Sequence, residues 1–175
     1  IQVPLIVAGP GVSRRGVDTT QKLHVTDVLP TILDFAGVTR PEARKGVALA
    51  PVYGRSWKPY LTGATTAPIR NDLDVIGFEM LECRAIFKGD WKLLFMAPPY
   101  GKNEWSLFNL REDPREMQDL RNREPEKFAG LLREWEAYAA TVGYIQADGT
   151  RQLDKMTAEE FFRFAGLPAG SGIDG

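Results

Sequence analysis

The sequence is poor in the residue types that most often carry chemistry. Its 175 residues include one cysteine, Cys83, and one histidine, His24. A lone cysteine forms no internal disulfide, and its scarcity suits a reducing compartment, leaning toward the cytoplasm. One histidine and one cysteine, well apart in sequence, cannot supply the three or four ligands of a zinc site. An excess of charge is also missing. The 22 basic residues face 23 acidic ones, so no large field draws the chain to nucleic acid or to an anionic membrane. The longest apolar runs, Val3 to Ala8 and Leu93 to Ala97, fall far short of the ~20 residues of a membrane-spanning helix. Repeats, low-complexity tracts and the Gly-rich phosphate-binding patterns do not occur. Ile1 stands inside an apolar run with no basic region before it, which is not a signal-peptide pattern and reads as a start within a longer protein.

What is present is the composition of an ordinary globular protein, long enough to bury roughly 70% of its unfolded surface. Ile1 to Ala8, closed by Gly9-Pro10-Gly11, reads as a strand buried on both faces. Thr26 is placed to cap a helix, with Asp27 in its first turn and Gly37 at its end. Val25, Val28, Leu29, Ile32, Leu33 and Ala36 recur at helical spacing and give that helix one apolar face. From Thr39 to Asn71 the texture turns to Pro, Gly, Arg and small polar residues around Trp57, Tyr60 and Leu61, which marks an ordered connector.

Four strand-like segments follow: Val75–Met80, Cys83–Phe87, Trp91–Met96 and Trp105–Leu110. The second and third join through Lys88-Gly89-Asp90 as a hairpin. An antiparallel sheet of four strands needs cover on one face. Phe128, Leu131, Leu132, Trp135, Ala139 and Val142 supply it as one helical stripe, started by Pro125 and stopped by Gly143. Trp135 is therefore expected beneath the sheet. A capping box at Thr157–Glu160 before Phe161, Phe162 and Phe164 predicts a short final helix. The fold class is α+β: the edge of an α/β sheet, then a small sheet-and-helix domain. Its divisions are 1–71, 72–143 and an extension over 144–175.

Candidate reactive groups mostly read as structural. His24 precedes a helix in a mixed polar stretch and makes a poor general base. Cys83 lies between Glu82 and Arg84 in a strand without a neighbouring histidine, so a packed thiol is expected. Asp113-Pro114-Arg115-Glu116 has the residues of a helix start with a capping box. The charges of Arg121–Lys127 and Arg133–Glu136 suit the solvated face of the covering helix.

Taken together, five segments in order resemble the sulfatase family, and bacterial arylsulfatases within it. These are Ile1-Gln2-Val3-Pro4; Thr26-Asp27-Val28-Leu29-Pro30-Thr31-Ile32-Leu33-Asp34; Gly54-Arg55-Ser56-Trp57; Arg84-Ala85-Ile86 with Lys88-Gly89-Asp90-Trp91-Lys92; and Leu107-Phe108-Asn109-Leu110 with Asp113-Pro114-Arg115-Glu116 and Asp119-Leu120. The likeness covers about residues 1 to 143. It implies a large α/β domain of the alkaline phosphatase superfamily, completed by a small domain whose four-stranded antiparallel sheet packs on a long terminal helix. It also implies sulfate-ester hydrolysis by a formylglycine made from the Cys of a C-x-P-S-R motif, with calcium and fixed cations holding the sulfate oxygens.

That motif does not occur here, and Cys83-Arg84-Ala85-Ile86 does not approximate it. By the resemblance, nucleophile, calcium ligands and catalytic Lys and His residues lie upstream of Ile1. No catalytic or metal-binding residue is therefore assigned to this chain, which is expected to act as scaffold for an upstream catalytic portion and to self-associate when isolated. Glu79 and the turn Pro98-Pro99-Tyr100 are the candidates for reaching the substrate-binding side. The alternatives are a choline-sulfatase-like or phosphonate monoester hydrolase parent, or a non-catalytic binding module.

Overall fold

The computed structural model describes residues 3–80, 82–98 and 100–146. A 3₁₀ turn, Val25–Asp27, runs directly into helix α1, Val28–Ala36, which ends at Gly37 in the left-handed conformation. The cap differs from the expectation. His24, not Thr26, is the N-cap, and it caps the 3₁₀ turn, its ring accepting the Thr26 amide, while Asp27 precedes α1 without a side-chain cap bond. The shift arises because Asp27 reaches back to the His24 amide at 2.8 Å and closes a capping box two residues earlier.

The connector holds a two-residue hairpin, β1 (Ala43–Arg44) against β2 (Val47–Ala48), and a short helix α2, Lys58–Leu61. Loop 12–20 is tied to α2. Arg14 lies over the Tyr60 ring at 3.8 Å and donates to the Tyr60 and Thr65 carbonyls.

Strands β3 (Val75–Met80), β4 (Cys83–Lys88), β5 (Trp91–Met96) and β6 (Glu104–Asn109) form one antiparallel sheet in sequence order. Lys88 pairs with Trp91 around Gly89, whose φ of 59° suits a residue without a side chain. Alternation decides the faces. Ile86, Leu93 and Leu107 lie in register on one face and bury completely against Leu131 and Trp135 of helix α3, Pro125–Val142. Gly77 on β3 lets the Tyr138 ring approach so closely that a Cβ would stand 2.4 Å from its Cζ. Across the other face, Lys92 is buried and paired with Glu116 at 2.6 Å.

Two expectations fail for physical reasons. Residues 3–8 form no strand, because a strand exists only through its ladder and nothing among the described residues pairs with it. Its side chains are exposed, Ile6 to 91%. Asp113–Glu116 forms a turn rather than a helix start. Glu116 takes a positive φ of 57° and spends its carboxylate on Lys92, while Asp113 accepts the Gln118 amide instead. The predicted helix beyond Thr157 lies outside the described residues. Among the described residues no helix is long and apolar enough to cross a membrane.

Trp135, 5% exposed, touches Trp105, Tyr138 and Tyr144 as well as the aliphatic core. Trp135→Ala should lower stability by ~3–5 kcal/mol. An unchanged denaturation midpoint would remove α3 as the cover of the sheet.

Candidate functional site

The most heavily charged buried place is the joint between α1 and the connector. Asp27 is fully buried and Arg70 is 8% exposed. A buried carboxylate needs donors for its lone pairs. The two terminal guanidinium nitrogens of Arg70 bind it as a fork, and the amides of Arg55 and His24 each add a bond of 2.8 Å. Burial pushes the Asp27 carboxyl up, but the Arg70 bond and the two amides outweigh it and hold it below the usual value.

The segment Gly54-Arg55-Ser56-Trp57 docks on α1 residue by residue. Gly54 passes so near the chain that a Cβ would lie 2.0 Å from the Thr26 carbonyl oxygen. The Arg55 guanidinium forks onto Asp74 at 2.8 and 2.6 Å, just before β3. The Ser56 hydroxyl donates to Asp34 at 2.6 Å, and the Trp57 amide donates to Thr31 Oγ1 at 2.9 Å. Thr31 in turn donates to the Asp27 carbonyl at 2.7 Å. Sequence reasoning read Asp27 as a first-turn residue and overlooked Arg70. The available signal was an acidic residue set among Val25, Val28 and Leu29, which needs a cation if it is to be buried.

The second cluster closes one end of the sheet. Glu79, Arg84, Phe95 and Trp105 stand in register across all four strands, on the α3 face. The Arg84 guanidinium lies 4.0 Å from the Phe95 ring centre, with Trp105, Trp135 and Tyr144 between 5.5 and 5.9 Å. Its Nε is buried without an acceptor among the described residues. Burial, then the Glu79 charge and hydrogen bond, raise the Tyr138 hydroxyl pKa.

The turn after β5 reverses through Tyr100 and Gly101 amides donating to the Ala97 carbonyl. Glu79, Pro98 and Tyr100 therefore come to the same end of the sheet, whereas Asp113 follows β6 at the opposite end. Pro99 lies outside the described residues.

Cys83 is half-buried at the start of β4 with a free thiol. Among the described residues no three His, Cys, Asp or Glu side chains gather as a metal site. The carboxylates of Asp27 and Asp74 are each occupied by an arginine fork. These residues do not fit calcium, and no reaction step is assigned to them.

A third feature is apolar. Leu5, Ile6, Val28, Ile32, Phe35 and Trp57 line an open cleft between residues 3–8 and α1.

Asp27→Asn should destabilise the protein by ~3–5 kcal/mol, because it leaves the Arg70 charge buried without its counter-charge. The pH dependence has a fixed sign. A carboxyl held below its ordinary 3.8 contributes stability that is present above that pH and lost as pH falls through the depressed value. Denaturation midpoints from pH 7 to 2.5 check both points. A variant as stable as the wild type, or one with the same acid slope, would contradict the assignment.

The family described as N-sulphoglucosamine sulphohydrolase, C-terminal, matches residues 1–134. An uncharacterised sulfatase of Schizosaccharomyces pombe is 29% identical over 148 residues, covering 84% of this chain and 26% of that protein. A choline-sulfatase of Rhizobium meliloti is 31% identical over 128 residues, covering 68% of this chain and 21% of its own length. The chain thus spans about a quarter of these relatives. A solved structure of a protein bound to its substrate D-glucosamine-2-N,6-O-disulfate shares the fold, with a TM-score of 0.52 at 23% identity over 71% of this chain and 25% of that one. A 2-O glycosaminoglycan sulfatase structure superposes equally, at 0.52 and 22% identity over 78% of this chain and 29% of that one. With the matching region running from residue 1 through the sheet and into α3, the chain belongs to the N-sulphoglucosamine sulphohydrolase C-terminal family, a domain family of sulfatases.

Proposed function

We propose that the chain is the C-terminal scaffold of a sulfuric ester hydrolase of the arylsulfatase type. Residues 1–71 complete the α/β sheet of an upstream catalytic portion, residues 72–143 form the small domain, and 144–175 extend from it. The observation that carries this reading is the apolar face left on residues 3–8 and α1. Val3, Leu5, Ile6, Val28, Leu29 and Ile32 are all exposed, Ile32 to 60%, while the sheet-and-helix core beside them is closed. Contiguous exposed apolar surface of this kind marks a missing partner. A strand and helix laid on that face would bury it, and in isolation the chain should associate through it.

In this reading formylglycine and calcium belong to the upstream portion, where they supply the nucleophile and hold the sulfate oxygens. Residues of this chain position that portion. Glu79 and the turn Pro98-Pro99-Tyr100 form the rim facing the substrate in this reading: Glu79, Pro98 and Tyr100 share one end of the sheet, and loops at an element's end are free to reach a neighbour. A choline-sulfatase-like parent is the second reading, favoured by the 31% identical relative.

The test is to assay the purified chain on a chromogenic aryl sulfate and on choline sulfate, alone and with the separately made upstream portion carrying formylglycine and calcium. No turnover by the chain alone, and aryl sulfate turnover that rises when the two are mixed, is the expected result. Turnover by the chain alone, or a mixture no faster than the upstream portion by itself, would overturn the scaffold assignment. Faster turnover of choline sulfate would favour the second reading.

A further inference from the structure

His24 is the chain's only histidine, and it stands where α1 meets the sheet. Its Nδ1 accepts the Thr26 amide at 3.3 Å and lies 2.8 Å from the Thr26 hydroxyl. A ring nitrogen that accepts an N–H carries no proton, so the ring proton sits on Nε2. The edge of the ring meets Phe78 of β3 at 4.6 Å, and Phe78 meets Phe87 of β4 at 5.5 Å. One neutral ring thereby caps the turn that starts α1 and rests it on the sheet.

A proton on Nδ1 would convert that acceptor to a donor. The Thr26 amide would lose its partner, and a positive charge would appear at a helix N-terminus, the end that disfavours cations. The surrounding charges do not compensate. Arg70, from the segment before β3, repels it. Asp27 attracts it, but the four acceptor positions of that carboxylate are already filled by Arg70, the Arg55 amide and the His24 amide. The Arg55 guanidinium is held by Asp74, and Lys22 by Asp72 and the Gly89 carbonyl. Strand β3 meets the ring with Phe78, which rests on Phe87 of β4, and Lys92 of β5, 5.4 Å from the Phe87 ring, is held by Glu116. Burial pushes the imidazole below 6.5, Asp27 opposes the shift, and Arg70 adds to it.

We propose that His24 is an acid-released clasp: the neutral ring fastens the start of α1 to β3, and protonation in mildly acidic solution unfastens it. Because the folded joint binds the proton more weakly than the unfolded chain does, the stabilisation is complete above pH 6.5 and declines as pH falls from there through the folded value.

A single histidine gives one set of imidazole NMR resonances, so its titration in the whole chain is unambiguous. The midpoint is expected below 6.5, and each pH unit of displacement is a tenfold preference of the closed joint for the neutral ring. Amide exchange at Thr26 and Phe78, corrected for its intrinsic pH dependence, should accelerate between pH 7 and pH 5. In His24→Asn the side-chain oxygen keeps the cap without titrating, and that acceleration should disappear. A midpoint at or above 6.5, or the same acceleration in His24→Asn, overturns the proposal.

Discussion

A carboxylate removed from water must recover inside the protein the hydrogen bonds that water gave it, and Asp27 recovers four. Arg70 supplies two, and the amides of Arg55 and His24 supply one each. Those donors come from three stretches of chain, so the position of α1, the path of the connector and the approach to β3 are fixed together. The same requirement explains Gly54, which must pass against the Thr26 carbonyl for the Arg55 amide to reach Asp27. From there Arg55 extends the network to Asp74 at the threshold of the sheet.

This polar joint holds together two surfaces of opposite character. On one side the sheet and α3 enclose a finished core, with Ile86, Leu93 and Leu107 fully buried. On the other, residues 3–8 and the outer face of α1 display apolar side chains over an open cleft. A joint with fixed hydrogen-bond geometry between a closed core and an open apolar face fits the scaffold role proposed above. It is an economical way to transmit the position of one fold unit to another, since charge pairs with fixed geometry specify orientation as well as attraction.

The sheet and its cover were legible in the sequence because they follow from periodicity. The strand-like runs Val75–Met80 and Trp91–Met96, set off by turn residues, and the 3.6-residue stripe through Leu131 and Trp135 all belong to elements that pack on one another within this chain. Residues 3–8 show the limit of that logic: apolar content records the need for cover, not the presence of it. The Asp27–Arg70 fork was hidden because its members lie 43 residues apart and neither belongs to a periodic pattern. Glu116 was misread for a related reason. Its spacing from Asp113 fits a local capping box, yet the long-range demand of a buried Lys92 takes its carboxylate. Local rules gave way wherever a buried charge needed a distant partner.

In the proposed scaffold, one face of this chain is covered by an upstream portion and the other is already closed. Hydrogen exchange of the full chain, measured alone and with the upstream catalytic portion added, separates the two faces. New protection of amides in residues 3–8 and along α1 is expected on addition, with β4, β5 and α3 equally protected in both states. Unchanged exchange in residues 3–8 and α1, or protection that appears only in the sheet, would contradict it.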